Sequence, residues 1–179
     1  MATPQDIRKR RLATDYQEML NLRGDIISWE PVQGEPPHVE EYDMVVRVRT
    51  IISPEPTYKD EHQIKIILPA AYPQAPPQVE ILGDNPYHPN WFTNNRWCYG
   101  TWDMSERLGH HIIRMIRTLQ YDLEITNEHS PANKEANAWF IKNRHSGWFP
   151  CDTQFLPDPT RSKKFELTGK ARFSLNSDD

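Results

Sequence analysis

The 179-residue chain is 37% hydrophobic and 26% charged and carries a net charge of −4, the balance of one globular domain with a single core. That balance excludes a general pull toward nucleic acid or anionic membrane, and no apolar run reaches the roughly 20 residues of a membrane span. Two cysteines, Cys98 and Cys151, exclude a disulfide framework, and "MATPQDIRKRRL" lacks the apolar core of a secretion signal, so reduced thiols in a cytoplasm are expected.

Residues 6–23, "DIRKRRLATDYQEMLNLR", predict an amphipathic helix. Ile7, Leu12, Tyr16, Met19 and Leu20 approximate one face, and Gly24 ends it. Arg8, Lys9, Arg10 and Arg11 lie in its first half, where cations oppose the helix dipole. They read as a solvated face or as a surface for an acidic partner. Four strands follow, at 25–32, 42–52, 62–69 and 78–82. In the second, Val46 and Val48 point one way and Arg47 and Arg49 the other. The loops between strands are polar and proline-bearing, as hairpin connections should be. Between the last two strands, "AAYPQAPPQV" places Pro73, Pro76 and Pro77. These fix φ and remove donors, so a rigid crossover is predicted.

Two helices close the core. In 105–120, Leu108, Ile112, Met115, Ile116 and Leu119 form a helical stripe. In 130–144, Ser130 suits the N-cap and Pro131 the first helical position, with Ala132, Ala136, Trp139 and Phe140 facing inward. Helix, four antiparallel strands, an irregular stretch holding Cys98 and two helices define an α+β domain over residues 1–145. Residues 146–179 form a C-terminal extension. It keeps Trp148, Phe149, Phe155, Leu156, Phe165, Leu167, Phe173 and Leu175, more apolar bulk than a disordered tail carries. It is expected to pack on the core or dock on a partner, with "KKFELTGKARFSL" pairing as a strand or hairpin.

Cys98 admits several chemistries. A zinc site needs close ligand pairs, and no motif joins Cys98 to His88, His110 or His111, so no metal is predicted. A cysteine protease needs a histidine to deprotonate the thiol and a third group to orient it, and no local signature supplies them. A buried structural cysteine is the plain alternative.

Five motifs in register bear on the choice: Tyr72-Pro73 with Pro76-Pro77, then His88-Pro89-Asn90, then Cys98 eight residues after Asn90, then Trp102, then "SPAN" at 130–133. Together they resemble the ubiquitin-conjugating enzymes, the E2 family, over roughly residues 5–145. The resemblance implies the UBC-like fold: an N-terminal helix, a four-stranded antiparallel meander sheet, an active-site loop and C-terminal helices. It implies that an E1-like enzyme passes the C-terminal carboxyl of a ubiquitin-like protein to Cys98. An acceptor amine, usually a lysine of a protein substrate, then attacks the thioester, and no cofactor takes part. A thiolate suits both steps, as nucleophile and as leaving group. Asn90 reads in two ways, as the amide that stabilises the oxyanion or as a brace of the cysteine-bearing loop. His88, Pro89, Tyr99 and Trp102 are structural in this reading, with Trp91, Phe92 and Trp97 pinning a loop whose turn is "TNN". Arg8 to Arg11 match the position where the family binds its E1.

Departures from the family pattern are local. Tyr99-Gly100 replaces the aliphatic and acidic pair that usually follows the thiol. In "ITNEHSPAN", His129 sits nearest the acid that orients the lysine, with Glu128 and Asn127 beside it, and His129 or Glu128 could serve in its place. Gln74 replaces an aromatic that serves RING-type ligases. These features resemble E2-like proteins of bacterial operons, often in anti-phage defence. The alternative is a non-catalytic E2-variant binding module, and Cys98 at the family spacing argues against it.

Overall fold

The computed structural model describes residues 1–162; the stretch expected to pair as a strand or hairpin, "KKFELTGKARFSL", lies outside them. Helix α1 (Pro4–Leu22) opens on a reciprocal cap. Thr3 Oγ1 accepts from the Asp6 N–H at 3.2 Å, and Asp6 Oδ2 accepts from the Thr3 N–H at 2.9 Å, so two orphan donors are satisfied. Of the expected stripe, Leu12 and Met19 are buried, Tyr16 and Leu20 half-buried and Ile7 exposed. The inward face instead includes Leu22 and two acids, Asp15 and Glu18. Arg23 rather than Gly24 caps the helix; the Gly24 N–H donates to the Ile27 carbonyl at 2.8 Å and turns the chain into the sheet.

Strands β1 (Ile27–Gln33), β2 (Glu41–Val46), β3 (Thr50–Ser53), β4 (Thr57–Lys59), β5 (His62–Ile67) and β6 (Gln78–Leu82) follow. The main sheet is antiparallel in the order β1-β2-β5-β6. The expected strand over 42–52 is two strands. Its alternation is unbroken: Val46, Val48 and Thr50 are buried while Arg47 and Arg49 are exposed. The backbone nevertheless leaves the main sheet after Val46, and β3 pairs with β4 as a separate hairpin. Alternation reports burial and is blind to hydrogen-bond partners.

The inner face of the sheet presents Ile27, Trp29, Tyr42, Met44, Val46, Ile64, Ile66, Val79 and Ile81 to α1 and to α2 (Leu108–Leu119). All five residues of the α2 stripe are fully buried. Arg107 offers no side-chain cap to α2. Two buried carboxylates of α1 serve instead: Asp15 Oδ1 accepts from the Leu108 N–H at 3.0 Å, and Glu18 Oε2 from the Gly109 N–H at 3.1 Å. These satisfy orphan donors and oppose the positive end of the helix dipole.

Helix α3 (Lys134–Asn143) starts four residues later than Ser130. Its cap is Asn133, whose side chain accepts from the Ala136 N–H at 3.0 Å. Ser130, Pro131 and Ala132 form a turn because the Ala132 and Asn133 N–H groups both donate to the Pro89 carbonyl, at 2.8 and 3.1 Å. Ala132 is half-buried rather than core. A second apolar cluster joins Ile51, Tyr121, Phe140 and Phe149, flanked by Trp139, Trp148 and Cys151.

Residues 146–162 pack against the rest without regular structure. The Cys151 N–H donates to the Gln120 carbonyl at 2.9 Å, Leu156 sits on the main core, and Asn21 Nδ2 donates to the Pro159 carbonyl at 2.7 Å. Among the described residues, no helix is long and apolar enough to cross a membrane.

Candidate active site

The segment 88–102 lies between the end of β6 and the loop into α2. His88 is fully buried, its ring 4.1 Å from that of Tyr121, and its Nδ1 accepts from the Asn90 N–H at 2.9 Å. Burial drives the imidazole pKa down to about 3, so His88 is neutral and serves as an acceptor. Trp91 and Trp97 are buried and bridge as neighbours across a short hairpin. Its turn carries Asn95 at φ 69°, a left-handed position that asparagine tolerates. Phe92, expected to pin the loop, is 41% exposed; its backbone holds instead, the Phe92 N–H donating to the Arg96 carbonyl at 2.8 Å. The spacing of eight is thereby explained. The hairpin folds back so that the Cys98 N–H donates to the Asn90 carbonyl at 3.0 Å.

Cys98 is half-buried with a free thiol. It lines a cleft of ≈ 280 Å³ with Asn90, Tyr99, Gly100, Arg114 and Asn127. Asn90 is engaged at both ends of its amide: Oδ1 accepts from the Asn127 N–H at 2.7 Å and Nδ2 donates to the Asn127 carbonyl at 2.9 Å. Its bracing contacts are therefore explicit.

The wall beyond the thiol is aromatic and ionic. Trp102 Nε1 donates to the Pro73 carbonyl at 2.9 Å, tying the loop to the proline crossover. His111 is fully buried among Trp97, Tyr99 and Trp102, with ring centroids at 4.8, 5.5 and 5.1 Å. Arg114 chelates Glu106 through Nε and Nη2 at 2.9 and 3.0 Å, and Nη1 donates to the Tyr99 carbonyl at 2.7 Å. Its guanidinium lies 5.1 Å from the Trp97 ring centre. Burial pushes the Glu106 carboxyl up, but the hydrogen bonds from His111 and Arg114 outweigh it and hold the pKa at about 2.

His129 sits in the turn between Asn127 and Ser130, two residues that line the cleft. Its side chain is 89% exposed, and Glu128 beside it pairs with Arg144. The turn that carries both is held by backbone groups, Asn127 to Asn90 and the Glu128 carbonyl to Asn137 Nδ2 at 2.9 Å. The basic cluster divides in two. Arg8 binds Glu40 at 2.6 Å and two backbone carbonyls. Arg11 binds Asp15 at 2.9 Å and the carbonyls of Met104 and Glu106. Lys9 and Arg10 are exposed.

Arg114 was not legible as a site residue, and Asn127 only as a neighbour of His129. Asn127 works through its backbone, which no side-chain motif signals. Arg114 flanks the α2 stripe, where a solvated cation is the ordinary reading. The one available cue was a basic residue beside an otherwise apolar face.

A partly exposed cysteine, set on a hairpin between a four-stranded antiparallel sheet and the following helix, defines an α+β domain of the UBC-like fold. The chain is 26% identical over 138 residues to a ubiquitin-conjugating enzyme E2 2 of Trichoderma harzianum and, over the same length, to one of Fusarium solani. Each match covers 76% of this chain and 85% of the relative. No family model matches the chain. The chain is thus similar, over three quarters of its length, to ubiquitin-conjugating enzymes E2.

Proposed function

We propose that this protein accepts the C-terminal carboxyl of a ubiquitin-like protein as a thioester on Cys98 and delivers it to an amine. The supporting observation is the partly exposed Cys98 thiol at the mouth of a cleft, held by its N–H on the Asn90 carbonyl, in a chain similar to E2 enzymes. In the first step, the Cys98 thiolate attacks the thioester carbonyl on an E1-like enzyme. A new C–S bond forms as the E1 cysteine leaves as thiolate. In the second, an amine of a protein substrate, usually a lysine, attacks the same carbon. A C–N bond forms, Cys98 leaves as thiolate, and the amine proton passes to solvent. His129, exposed in the turn between the cleft residues Asn127 and Ser130, is the candidate that orients this amine, with Glu128 beside it as the other.

In this reading residues 1–145 are the catalytic core and 146–179 an extension, of which the described part packs on that core. Lys9 and Arg10, exposed and adjacent on α1, supply the surface for the E1-like enzyme, while Arg8 and Arg11 hold the fold. The departures at Gln74, Tyr99 and Gly100 support a bacterial conjugation pathway with anti-phage defence as its setting, and the two free cysteines support a cytoplasmic one.

The test is a non-reducing gel of the protein incubated with an E1-like enzyme, its ubiquitin-like protein and ATP. A thiol-sensitive adduct is expected that is lost in Cys98→Ala and kept in Cys151→Ala. An adduct that tracks Cys151 overturns the reading, and no adduct at all with functional partners favours the non-catalytic module.

A further inference from the structure

The cleft beside Cys98 contains a cation that the family resemblance does not provide for. Asn90, the residue to which that resemblance assigns the oxyanion, already has its amide oxygen and one amide N–H on the Asn127 backbone. Arg114 lines the same cleft. A guanidinium has five N–H groups. Arg114 uses three of them, two on Glu106 and one on the Tyr99 carbonyl, which leaves two, against one left on the neutral Asn90 amide.

Its position is fixed on three sides. The bidentate bond to Glu106 sets the plane of the guanidinium, the Trp97 ring lies against it, and the Tyr99 carbonyl belongs to the residue next to the thiol. Donors held in place before the reaction act without reorganisation cost, and a charged donor serves a developing oxyanion better than a neutral amide. Arg114 also carries its charge at every working pH.

We propose that Arg114, rather than Asn90, donates to the carbonyl oxygen of the acyl group on Cys98 and stabilises the oxyanion formed in both loading and discharge. The proposal rests on the thioester reading above. Asn90 is then a positioning residue, which holds the Cys98 hairpin against the turn at Asn127.

The experiment bypasses any E1. Ubiquitin bearing a C-terminal mercaptoethanesulfonate thioester is offered to the protein. Cys98 thiolate displaces mercaptoethanesulfonate thiolate, and hydroxylamine then displaces Cys98, yielding ubiquitin hydroxamate. Loading and discharge are timed for the wild type, Arg114→Gln, Arg114→Lys and Asn90→Ala, all with Cys151→Ser. Iodoacetamide alkylation of Cys98, a displacement that forms no oxyanion, is timed alongside. In Arg114→Gln, acyl transfer is expected to fall about 100-fold while alkylation stays within about threefold of wild type. Arg114→Lys, a charged donor without the fork, should recover about tenfold of that loss. In Asn90→Ala, acyl transfer and alkylation should change together.

Wild-type acyl transfer in Arg114→Gln overturns the proposal. So does an equal loss in alkylation, which makes Arg114 a structural strut. A selective loss of acyl transfer in Asn90→Ala, with Arg114→Gln unaffected, returns the role to Asn90. A wild-type protein that alkylates at Cys98 but exchanges with no thioester offered, neither ubiquitin's nor a short peptide's mercaptoethanesulfonate thioester, sinks the thioester reading itself, and the Arg114 proposal with it.

Discussion

Asn90 grips the backbone of Asn127 with both ends of its amide, at 2.7 and 2.9 Å. The Asn90 carbonyl takes the Cys98 N–H on its other side. One residue thus joins the thiol-bearing hairpin to the turn before α3, and the Pro89 carbonyl doubles the link through Ala132 and Asn133.

Removing that amide should cost stability. Asn90→Ala deletes two hydrogen bonds at a residue only 6% exposed, a loss of about 1–2 kcal/mol given that the Asn127 backbone can be rehydrated. For a chain of this size that is a fall of about 2–8 °C in Tm. An unchanged melting curve would mean that the grip on Asn127 does not bear on folding.

The basic cluster makes a two-part prediction. Lys9→Glu with Arg10→Glu should slow charging by an E1-like enzyme by about tenfold at low salt, with the difference shrinking as salt rises, and leave Tm unchanged. Arg11→Ala should do the reverse. Asp15 is fully buried and loses its guanidinium partner, so about 2–3 kcal/mol of stability is lost. Thermal melts and charging rates on the same samples separate the two effects. If Lys9→Glu/Arg10→Glu charges like wild type, the E1 surface lies elsewhere.

These outcomes also mark where the sequence was legible. The Cys98 hairpin was readable because its parts are local: an asparagine-rich turn, two tryptophans and a fixed spacing. The α2 stripe was readable because every member is apolar and in helical phase. Arg8 and Arg11 were not, because their partners Glu40, Leu68, Met104 and Glu106 are remote in sequence. The break after Val46 was hidden because burial alternates across it. Ser130 lost its place as cap to a carbonyl 43 residues away, Pro89 to Ala132, a contact made only by the folded chain.

Cys151 should be chemically silent in the native protein. Burial pushes its thiol up to about 12, aided by the Asp152 charge. At pH 8 only about one part in ten thousand is then thiolate, the form that reacts. Native protein treated with iodoacetamide at pH 8 should gain one adduct by mass spectrometry, on Cys98, and a second only in denaturant. Comparable modification of both cysteines in the native state would show that the Cys151 thiol, half-buried like that of Cys98, is not held in its unreactive form.

His88 predicts an acid-side loss of stability. Its folded pKa of about 3 lies below the ordinary histidine value of 6.5. Between those values the unfolded chain binds a proton that the folded chain refuses. Stability is therefore complete above pH 6.5 and declines as pH falls toward 3, by up to about 1.4 kcal/mol per pH unit from this residue. Burial also lowers His62 and His111, so the comparison must be differential. In His88→Asn, a side-chain oxygen can still take the Asn90 N–H. Urea unfolding at pH 7, 5.5 and 4.5 should show a shallower decline for the variant, despite its lower stability at pH 7. Parallel declines would remove His88 from the acid response.

Helix α1, helix α2 and the C-terminal segment meet at Gly109. A Cβ there would lie 2.6 Å from Glu18 Oε2 and 2.7 Å from Pro159 Cβ. Alanine raises helix propensity by about 1 kcal/mol over glycine, but the overlap costs more, so Gly109→Ala should lose a net of about 1–3 kcal/mol. Part of that cost comes from Pro159, which is buried on α2 while its carbonyl accepts from Asn21. Adding Pro159→Gly should therefore relieve Gly109→Ala while destabilising the wild type. A double-mutant cycle by urea unfolding should give a coupling above about 0.5 kcal/mol. Additive losses would mean that residues around 159 do not press on α2 in solution.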